Sequence, residues 1–572
     1  MSTCTPATAF AGAHEGPGPS GGGSADLGAA ESAIFVGLFG SFGPHPAIVA
    51  AIKGKWRSHL RVMRGIVPPM KRPLATASLV SIAACTNVVS PGPVAVDGGS
   101  DANVTYSYPD KFLFGSATAA FQVEKGLTAS DWSAWASTKG KITGDDHPDK
   151  SGPDALAHID DDVKLLVDSK QNAYRFSIEW SRLYPTRESF DKNEPAAEGL
   201  ASYDALLSKL AFAKITPMVT LHHFSTPAWL SDPSKQGEPQ GWERTEMRTL
   251  FAEFAKRVAA RWGKQVDYWI TINEPLNAAL GGYVQGSFPP GVLLDVPRAL
   301  AQVKSQVYAH ALAFDAIHEA DAIDADGDGK AALVSVALHQ RTFHPLDPNE
   351  GADVEAANRV RQQWNLWFAN AIVRGDVDDD FDLKYDSPND KKADPALVKH
   401  ADFLGVNYYS DTLVSATRGF VLPVIKAAIY QANLETDRPK TDFGWDIYSA
   451  GLGTVLDELV PYGVPLIVTE NGLADASDSN RARFLAEHLA EIGKALQRGV
   501  DVRGYMHWAL IDNFEWAAGF CPKFGFASYN SAGVRTARSS LDVYRAIIES
   551  KTLTTSRVAQ MPAYKSATEF CK

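Results

Sequence analysis

The 572-residue chain predicts a (β/α)8 TIM barrel, an α/β fold with one catalytic domain, and three observations lead to this prediction. Between residues 106 and 551, short β-branched or aromatic runs alternate with longer amphipathic stretches, as in a parallel sheet covered by helices. Eight such runs can be placed, which is the number of strands in this barrel. Polar and aromatic residues cluster where the runs end, and these barrels carry their active sites at the C-terminal ends of the strands.

The predicted strands are separated by stretches long enough to hold one helix each. In chain order they are Phe112–Ala120, Ala173–Trp180, Thr216–His223, Tyr268–Glu274, Leu333–Gln340, Phe403–Tyr409, Leu466–Glu470 and Tyr505–Asp512. A domain of roughly 450 residues is long for this fold, but loop insertions commonly extend it beyond about 400 residues.

Composition and charge exclude several classes of function. The 45% hydrophobic and 10% aromatic content is enough for a large core, and the net charge of −12 argues against nucleic-acid binding. The run Asp324–Gly329 resembles the start of a calcium loop, but Ser335 stands at the twelfth position, where a bidentate glutamate is needed. No glycine-rich phosphate loop lies between a predicted strand and a helix. The sequence therefore predicts no metal and no cofactor.

The N-terminal region is predicted to be a leader. Residues 1–69 are of low complexity. They are predicted to be a disordered extension, or to precede the true translation start at Met70. Residues 70–85 have two basic residues before a short apolar stretch that ends in small residues, which is the outline of a signal peptide. The four residues that end at Cys85 resemble the lipobox of bacterial lipoproteins, and this predicts lipidation of Cys85. Residues 86–105 are predicted to be a flexible linker.

The leader predicts a protein that is secreted or anchored by lipid in a bacterial cell envelope. In such an oxidising compartment, Cys521 and Cys571 could pair and fix the predicted C-terminal tail, residues 552–572. Two unpaired thiols fit the sequence equally well, since sequence does not show whether the two residues meet.

Two strand-like runs each end in a glutamate that is followed at once by a turn-forming residue. They are Thr271-Ile272-Asn273-Glu274-Pro275 and Val468-Thr469-Glu470-Asn471-Gly472. Two converging carboxyl groups are what cleavage of a glycosidic bond needs, one as acid/base and one as nucleophile or base. The two runs resemble the catalytic signatures of glycoside hydrolase family 1, the β-glucosidase-like enzymes. This resemblance implies that Glu274 is the acid/base and Glu470 is the nucleophile.

The resemblance covers nearly the whole domain and implies three residues that support catalysis. Arg175 would lie beside Glu470, where its guanidinium favours the ionised carboxylate and lowers its pKa. Tyr409 would donate a hydrogen bond to Glu470, whereas Tyr408 is expected to pack. Asn273 would bind the sugar 2-hydroxyl, and a nearby ionised Glu470 would raise the pKa of the acid/base.

The resemblance also implies a set of sugar-binding residues at the strand ends. They are Gln122, His223, Trp508, Glu515 and Trp516. A carboxylate at position 515 would repel phosphate, which disfavours 6-phosphosugar substrates. Phe224 and Ser225 follow His223, where the family has tryptophan and aspartate. Because of this departure, the resemblance does not predict how the leaving group is bound.

Together these residues predict a retaining exo-β-glycosidase that hydrolyses terminal β-D-glucosyl residues, with β-D-galactosyl and β-D-fucosyl residues as further substrates. Its partner would be a β-glycoside or an oligosaccharide. A transglycosylase would use the same two glutamates, so the motifs do not separate it from a hydrolase. A catalytically inactive sugar-binding protein is disfavoured, because such proteins usually lack one of the two carboxyl groups and both are present here. The aglycone, the preferred sugar and the oligomeric state stay open.

Overall fold

The computed structural model describes residues 103–571 apart from 328, 420–425, 431–435 and 568–569. The predicted leader, with the signal peptide and Cys85, lies outside the described residues. None of the described helices combines the length and apolar character that a membrane span requires.

Eight parallel strands of the described chain form a closed barrel, which confirms the predicted fold. They are β1 (Leu113–Ala117), β2 (Ala173–Ser177), β3 (Thr216–His222), β4 (Tyr268–Asn273), β5 (Leu333–Pro345), β6 (Leu404–Ser415), β7 (Leu466–Asn471) and β8 (Val502–Trp508). Each strand pairs with the next along the chain, and β8 pairs with β1. Both faces of a parallel sheet are covered, which is why these strands consist of nearly continuous buried runs.

Eight longer helices of the described chain follow the strands. They are α1 (Ile159–Asp168), α2 (Ala197–Ala213), α3 (Met247–Trp262), α4 (Val296–Ala320), α5 (Gly351–Arg361), α6 (Ala450–Leu459), α7 (Arg481–Gln497) and α8 (Ser540–Ser550). In α7, Phe484, Leu485, Leu489 and Ile492 recur at helical spacing and are all buried. Each such side chain contributes about 1.5–3 kcal/mol on burial, so this face fixes the helix against the barrel.

Shorter elements fill the loops between strands and helices. The short α-helices are Ala120–Val123, Asp131–Ala136, Pro148–Ser151, Trp180–Leu183, Arg187–Asp191, Pro275–Ala279, Trp367–Ala369 and Thr555–Ala559. The 3-10 helices are Thr143–Asp145, Gly241–Glu243, Gly263–Gln265, Val460–Tyr462 and Trp516–Ala518, and the π-helices are Leu280–Gln285, Gln362–Leu366 and Asn370–Arg374. The short strands are Thr105–Ser107, Ala428–Tyr430, Ala527–Tyr529, Arg535–Ala537 and Thr552–Thr554.

Several strand boundaries differ from the prediction. β1 and β2 end three residues early, because the chain turns into the short helices Ala120–Val123 and Trp180–Leu183. β8 begins at Val502 and ends at Trp508, four residues before the predicted end. β5 and β6 continue past the prediction to Pro345 and Ser415, because they supply each other's hydrogen bonds beyond the barrel rim.

The described residues of the predicted C-terminal tail pack on the domain. Thr552–Thr554 pairs in antiparallel fashion with Thr105–Ser107, so the two ends of the domain join in one small sheet. Cys521 and Cys571 form a disulfide, which resolves the alternative that the sequence left open. Cys571 packs beside the cluster that contains Trp508 and Phe524, so the bond holds the end of the described chain close to the β8 loop.

Candidate active site

Glu274 and Glu470 lie at the C-terminal ends of β4 and β7 and border the same cavity. Glu274 is the residue after β4, and its backbone takes the left-handed conformation, with φ of 45°, before Pro275–Ala279 begins a helix. Glu470 is the last residue but one of β7. The two residues are 6% and 3% exposed, so their carboxyl groups are shielded from bulk water.

Both carboxyl oxygens of Glu470 accept strong hydrogen bonds. Arg175, from β2, donates from Nη1 to Oε1 at 2.6 Å, and Tyr409, from β6, donates from its hydroxyl to Oε2 at 2.6 Å. Arg175 also donates from Nη2 to Oδ1 of Asn273 at 2.7 Å. The structure therefore brings together Arg175, Asn273 and Tyr409 around Glu470, as the resemblance implies.

Asn407 of β6 joins the two glutamates into one network, and the sequence analysis did not select it. Its Nδ2 donates to Oε1 of Glu274 at 2.9 Å and to Oδ1 of Asn273 at 3.0 Å. Its Oδ1 accepts from the Thr469 hydroxyl at 2.7 Å, which fixes the orientation of the amide. A signal was present in the sequence, because Asn407 lies in the predicted sixth strand two residues before Tyr409 and therefore on the same face.

Burial and charge give Glu274 the character of an acid. Burial is the first cause and the charge of Glu470 the second, and together they raise the pKa of Glu274 to about 7. The hydrogen bonds from Asn407 and Asn277, the latter at 2.5 Å to Oε2, pull the pKa in the opposite direction. The repulsion from Glu470, which the sequence predicts, is thus the smaller effect, and burial is the larger one.

Arg175 acts on the pKa of Glu470 in the expected direction. Burial raises this pKa, and the charge of Arg175 and the hydrogen bonds from Tyr409 and Arg175 oppose that rise without reversing it. The sequence does not show how strongly Glu470 is buried, and burial is the largest effect.

An aromatic wall lies beside the two glutamates. The His223 ring stacks with Trp508, at 5.7 Å between centroids and an interplanar angle of 17°, and with Trp516, at 6.0 Å and 14°. Glu515 borders the cavity, and burial together with the charges of Glu470 and Glu274 raises the pKa of its carboxyl to about 8.

Gln122 does not itself border the cavity. It is fully buried and donates from Nε2 to the Phe514 carbonyl at 2.8 Å, behind the loop that carries Glu515. Among the described residues, Gln122 Oε1, His223 Nδ1 and Glu515 Oε2 are buried and have no hydrogen-bond partner. Buried polar groups in native proteins are normally paired, so atoms of this kind indicate a polar ligand.

The cavity, its mouth and the adjoining solvent space together measure about 640 Å³. The cavity also has a set of lining residues that the sequence analysis did not select: Asn277, Leu280, Gln285, Phe288, His339, Arg341, Trp445 and Phe524. They come from the loops and from the part of β5 at and beyond its predicted end. In these segments the pattern of hydrophobic residues does not show which side chains face the cavity.

Two buried carboxyl groups lie at the strand ends of this (β/α)8 barrel, and their hydrogen-bond partners differ. This arrangement is the one that glycoside hydrolases use. Within that class the family is shown directly. The family model described as Glycosyl hydrolase family 1 matches residues 104–553, and the chain belongs to this family.

Named relatives of the chain cover most of its length. It is 31% identical over 482 residues to a β-galactosidase of Pyrococcus woesei, a match that spans 74% of this chain and 93% of the relative. It is 32% identical over 483 residues to a bifunctional β-D-glucosidase/β-D-fucosidase of Bifidobacterium breve, spanning 78% and 99%. Among solved structures, the family 1 β-glucosidase from Thermotoga maritima matches with a TM-score of 0.68 and 29% identity, over 78% of this chain and 99% of that one.

Proposed function

We propose that the chain is a retaining exo-β-glycosidase that releases terminal β-D-glucosyl residues and also accepts β-D-galactosyl and β-D-fucosyl residues. One observation carries this proposal: Glu274 and Glu470 border one cavity in different environments. The pKa of Glu274 is about 7, so it holds a proton near neutral pH. Glu470 is bonded on both oxygens by Arg175 and Tyr409, which favour its ionised form.

The two environments suit a double displacement. In the first step Glu470 attacks the anomeric carbon while the bond to the leaving oxygen breaks and Glu274 gives its proton to that oxygen. In the second step Glu274, now ionised, takes a proton from water, and the water oxygen displaces Glu470 from the sugar. Each step inverts the anomeric centre, so the product keeps the β-configuration.

The remaining residues of the site are proposed to bind the sugar. Trp508 offers a flat face for stacking, and Asn273 lies beside both glutamates, where it can reach the 2-hydroxyl. Glu515, with a pKa of about 8, is a neutral carboxylic acid near pH 7 and can both donate and accept hydrogen bonds. The discrimination against 6-phosphosugars stays a prediction, and the repulsion behind it strengthens as pH rises past about 8. The names of the relatives support glucose, galactose and fucose as substrates.

The test uses the nitrophenyl β-glycosides of glucose, galactose and fucose. We expect release from all three sugars, and NMR of the first product should show the β-anomer. Glu470→Gln should lower the rate by roughly a thousandfold or more, since it removes the nucleophile. Glu179→Gln is the matched control, because Glu179 is a second buried strand-end glutamate that bonds Ser181 and Ser225. An α-anomer as first product, or a Glu470→Gln variant as active as the control, would refute the mechanism.

We also propose that the mature protein is lipid-anchored at Cys85 in a bacterial cell envelope, on the lipobox-like sequence alone. Mass spectrometry of the protein from its native membrane should show a diacylglyceryl-modified cysteine as first residue. Cys85→Ala should abolish the modification, whereas Cys4→Ala, in residues 1–69, should leave it unchanged. A mature chain that begins with unmodified Met1 would exclude the anchor.

A further inference from the structure

Arg341 is a buried cation in the cavity wall that forms no salt bridge in the described chain. It is 2% exposed and borders the cavity. Its side-chain partners are neutral: Nε donates to His339 Nε2 at 3.2 Å, and Nη1 donates to the Thr412 hydroxyl at 2.9 Å. Arg175, the other arginine next to the two glutamates, is paired with Glu470. Buried charges are normally paired, whereas Glu274, the carboxyl group that attracts Arg341, is hydrogen-bonded to Asn277 and Asn407 and not to the guanidinium.

The strand geometry holds Arg341 in this position. The register between β5 and β6 shifts here: Gln340 pairs with Tyr408 and Thr342 with Asp411, so Arg341 faces two residues of β6. Such irregularities re-aim side chains next to active sites. The backbone is also fixed, because the Asn365 side chain accepts from the Arg341 N–H at 3.2 Å and donates to its carbonyl at 2.7 Å.

His339 adds a second donor beside the guanidinium. Its pKa lies well below the ordinary value, because it is buried and next to Arg341, so the ring is neutral. A neutral ring that accepts at Nε2 carries its proton on Nδ1. That Nδ1 is buried and has no partner among the described residues, and His339 also borders the cavity. Burial lowers the pKa of Arg341 only to about 10, so the guanidinium keeps its charge near pH 7.

The position of β5 places these donors on the leaving-group side. In a closed ring of eight strands, β5 lies opposite β1 and next to β4, whose end carries Glu274. The proposed sugar-binding residues Trp508 and Glu515 follow β8, next to β1. A sugar that stacks on Trp508 therefore directs its leaving group past Glu274 toward β5. The electrostatic attraction between Arg341 and Glu274 agrees with this closeness.

We propose that Arg341 and His339 form an anion-binding subsite for the leaving group, so that the enzyme favours β-glycosides whose aglycone carries a carboxylate. This inference rests on the proposed function and names the substrate class of the same site. A carboxylate there supplies a counter-charge bonded directly to the guanidinium, whose Nε is held by His339.

The test compares two substrates that differ in one charge. They are 4-(carboxymethyl)phenyl β-glucoside and its neutral analogue, 4-(carbamoylmethyl)phenyl β-glucoside, whose methylene group keeps the two phenol leaving groups nearly equal in acidity. We expect kcat/KM to favour the carboxylate substrate by about tenfold, the size of one charge-assisted hydrogen bond. In Arg341→Gln this ratio should fall to about one. The ratio is taken within each variant, so a change in overall activity cancels.

Two further variants make the result specific. Arg341→Lys keeps the charge and should keep part of the preference, which also covers the case in which Arg341→Gln fails to fold. Arg498→Gln removes the same charge from the surface, where Arg498 pairs with Asp457, and should leave the ratio unchanged.

Three outcomes would overturn the inference. The first is a wild-type ratio of one or less between kcat/KM for the carboxylate substrate and kcat/KM for the neutral one. The second is a preference for the carboxylate substrate that survives in Arg341→Gln or is equally lost in Arg498→Gln. In both of these cases, hydrolysis of the neutral substrate leaves the proposed function standing. The third is no hydrolysis of either substrate or of nitrophenyl β-glucoside, which refutes the proposed function and this inference with it.

Discussion

The hydroxyl of Tyr409 offers the sharpest test of how the site controls Glu470. Tyr409→Phe removes a single oxygen, the one that donates to Glu470 Oε2 at 2.6 Å. The ring itself packs against His339, Trp445 and Phe524, with centroids 5.9–6.4 Å away, and phenylalanine keeps these contacts. The fold should therefore survive, and the change should isolate one hydrogen bond to the nucleophile.

The expected magnitude follows from the nature of that bond. A hydrogen bond to a charged group contributes about 1.5–3 kcal/mol, and 1.36 kcal/mol corresponds to tenfold in rate. We expect kcat/KM to fall by roughly 10- to 150-fold. The Tyr409 hydrogen bond also lowers the pKa of Glu470, so its loss should raise that pKa. Because Glu470 must be ionised to attack, the acidic limb of the pH profile should move to higher pH.

The assay is kcat/KM for nitrophenyl β-glucoside across the pH range, with Tyr408→Phe as the matched control. Tyr408 is the neighbouring residue, is equally buried, and donates to the Tyr448 carbonyl at 2.7 Å instead of to a glutamate. The control should lose stability but keep the position of the acidic limb. If the two variants have the same rate and the same limb, Tyr409 does not tune the nucleophile.

Three further predictions concern other parts of the site. Since the acid form of Glu274 is required and its pKa is about 7, kcat/KM should fall as pH rises through about 7. Glu274→Ala should abolish this basic limb, and a limb that persists would assign it to another group. Glu515→Ala should raise KM for nitrophenyl β-glucoside by about tenfold, because a hydrogen-bonding group is lost, and an unchanged KM would remove Glu515 from the sugar site. Replacing both Cys521 and Cys571 by serine should lower the free energy of unfolding by about 2–4 kcal/mol in urea denaturation, since the disulfide spans 50 residues, and an unchanged midpoint would contradict this.

The fold was largely predictable because a parallel barrel buries both faces of every strand. Short apolar runs such as Leu466–Val468 are therefore typical of such strands. Strand ends were less predictable, since they depend on partners. The extensions of β5 and β6 exist because the two strands pair with each other beyond the barrel rim. The β5 sequence Arg341–Pro345 alone does not show that β6 residues lie beside it as pairing partners.

The position of Glu274 and Glu470 at the barrel mouth was predictable for a related reason, because a strand end followed by a turn fixes a side chain there. Residues that act through other residues were harder to recognise. Asn407 stands two residues before Tyr409, but its importance lies in contacts with Asn273 and Glu274, more than 130 positions away. The charge state of Glu515 could not be predicted from the sequence either, since its pKa of about 8 depends on burial and on two glutamates that are distant in the sequence.

The side-chain amide of Asn273 can donate a hydrogen bond to a substrate but cannot accept one. Its Oδ1 is occupied by two donors, Arg175 at 2.7 Å and Asn407 at 3.0 Å, so the amide cannot flip. Its Nδ2 donates one hydrogen to His223 Nε2 at 3.2 Å and keeps a second for the bound sugar. A 2-hydroxyl can accept that hydrogen, whereas the 2-ammonium group of a β-glucosaminide has only donors. The enzyme should therefore discriminate strongly against unacetylated amino sugars below the pKa of their amine, and less strongly above it.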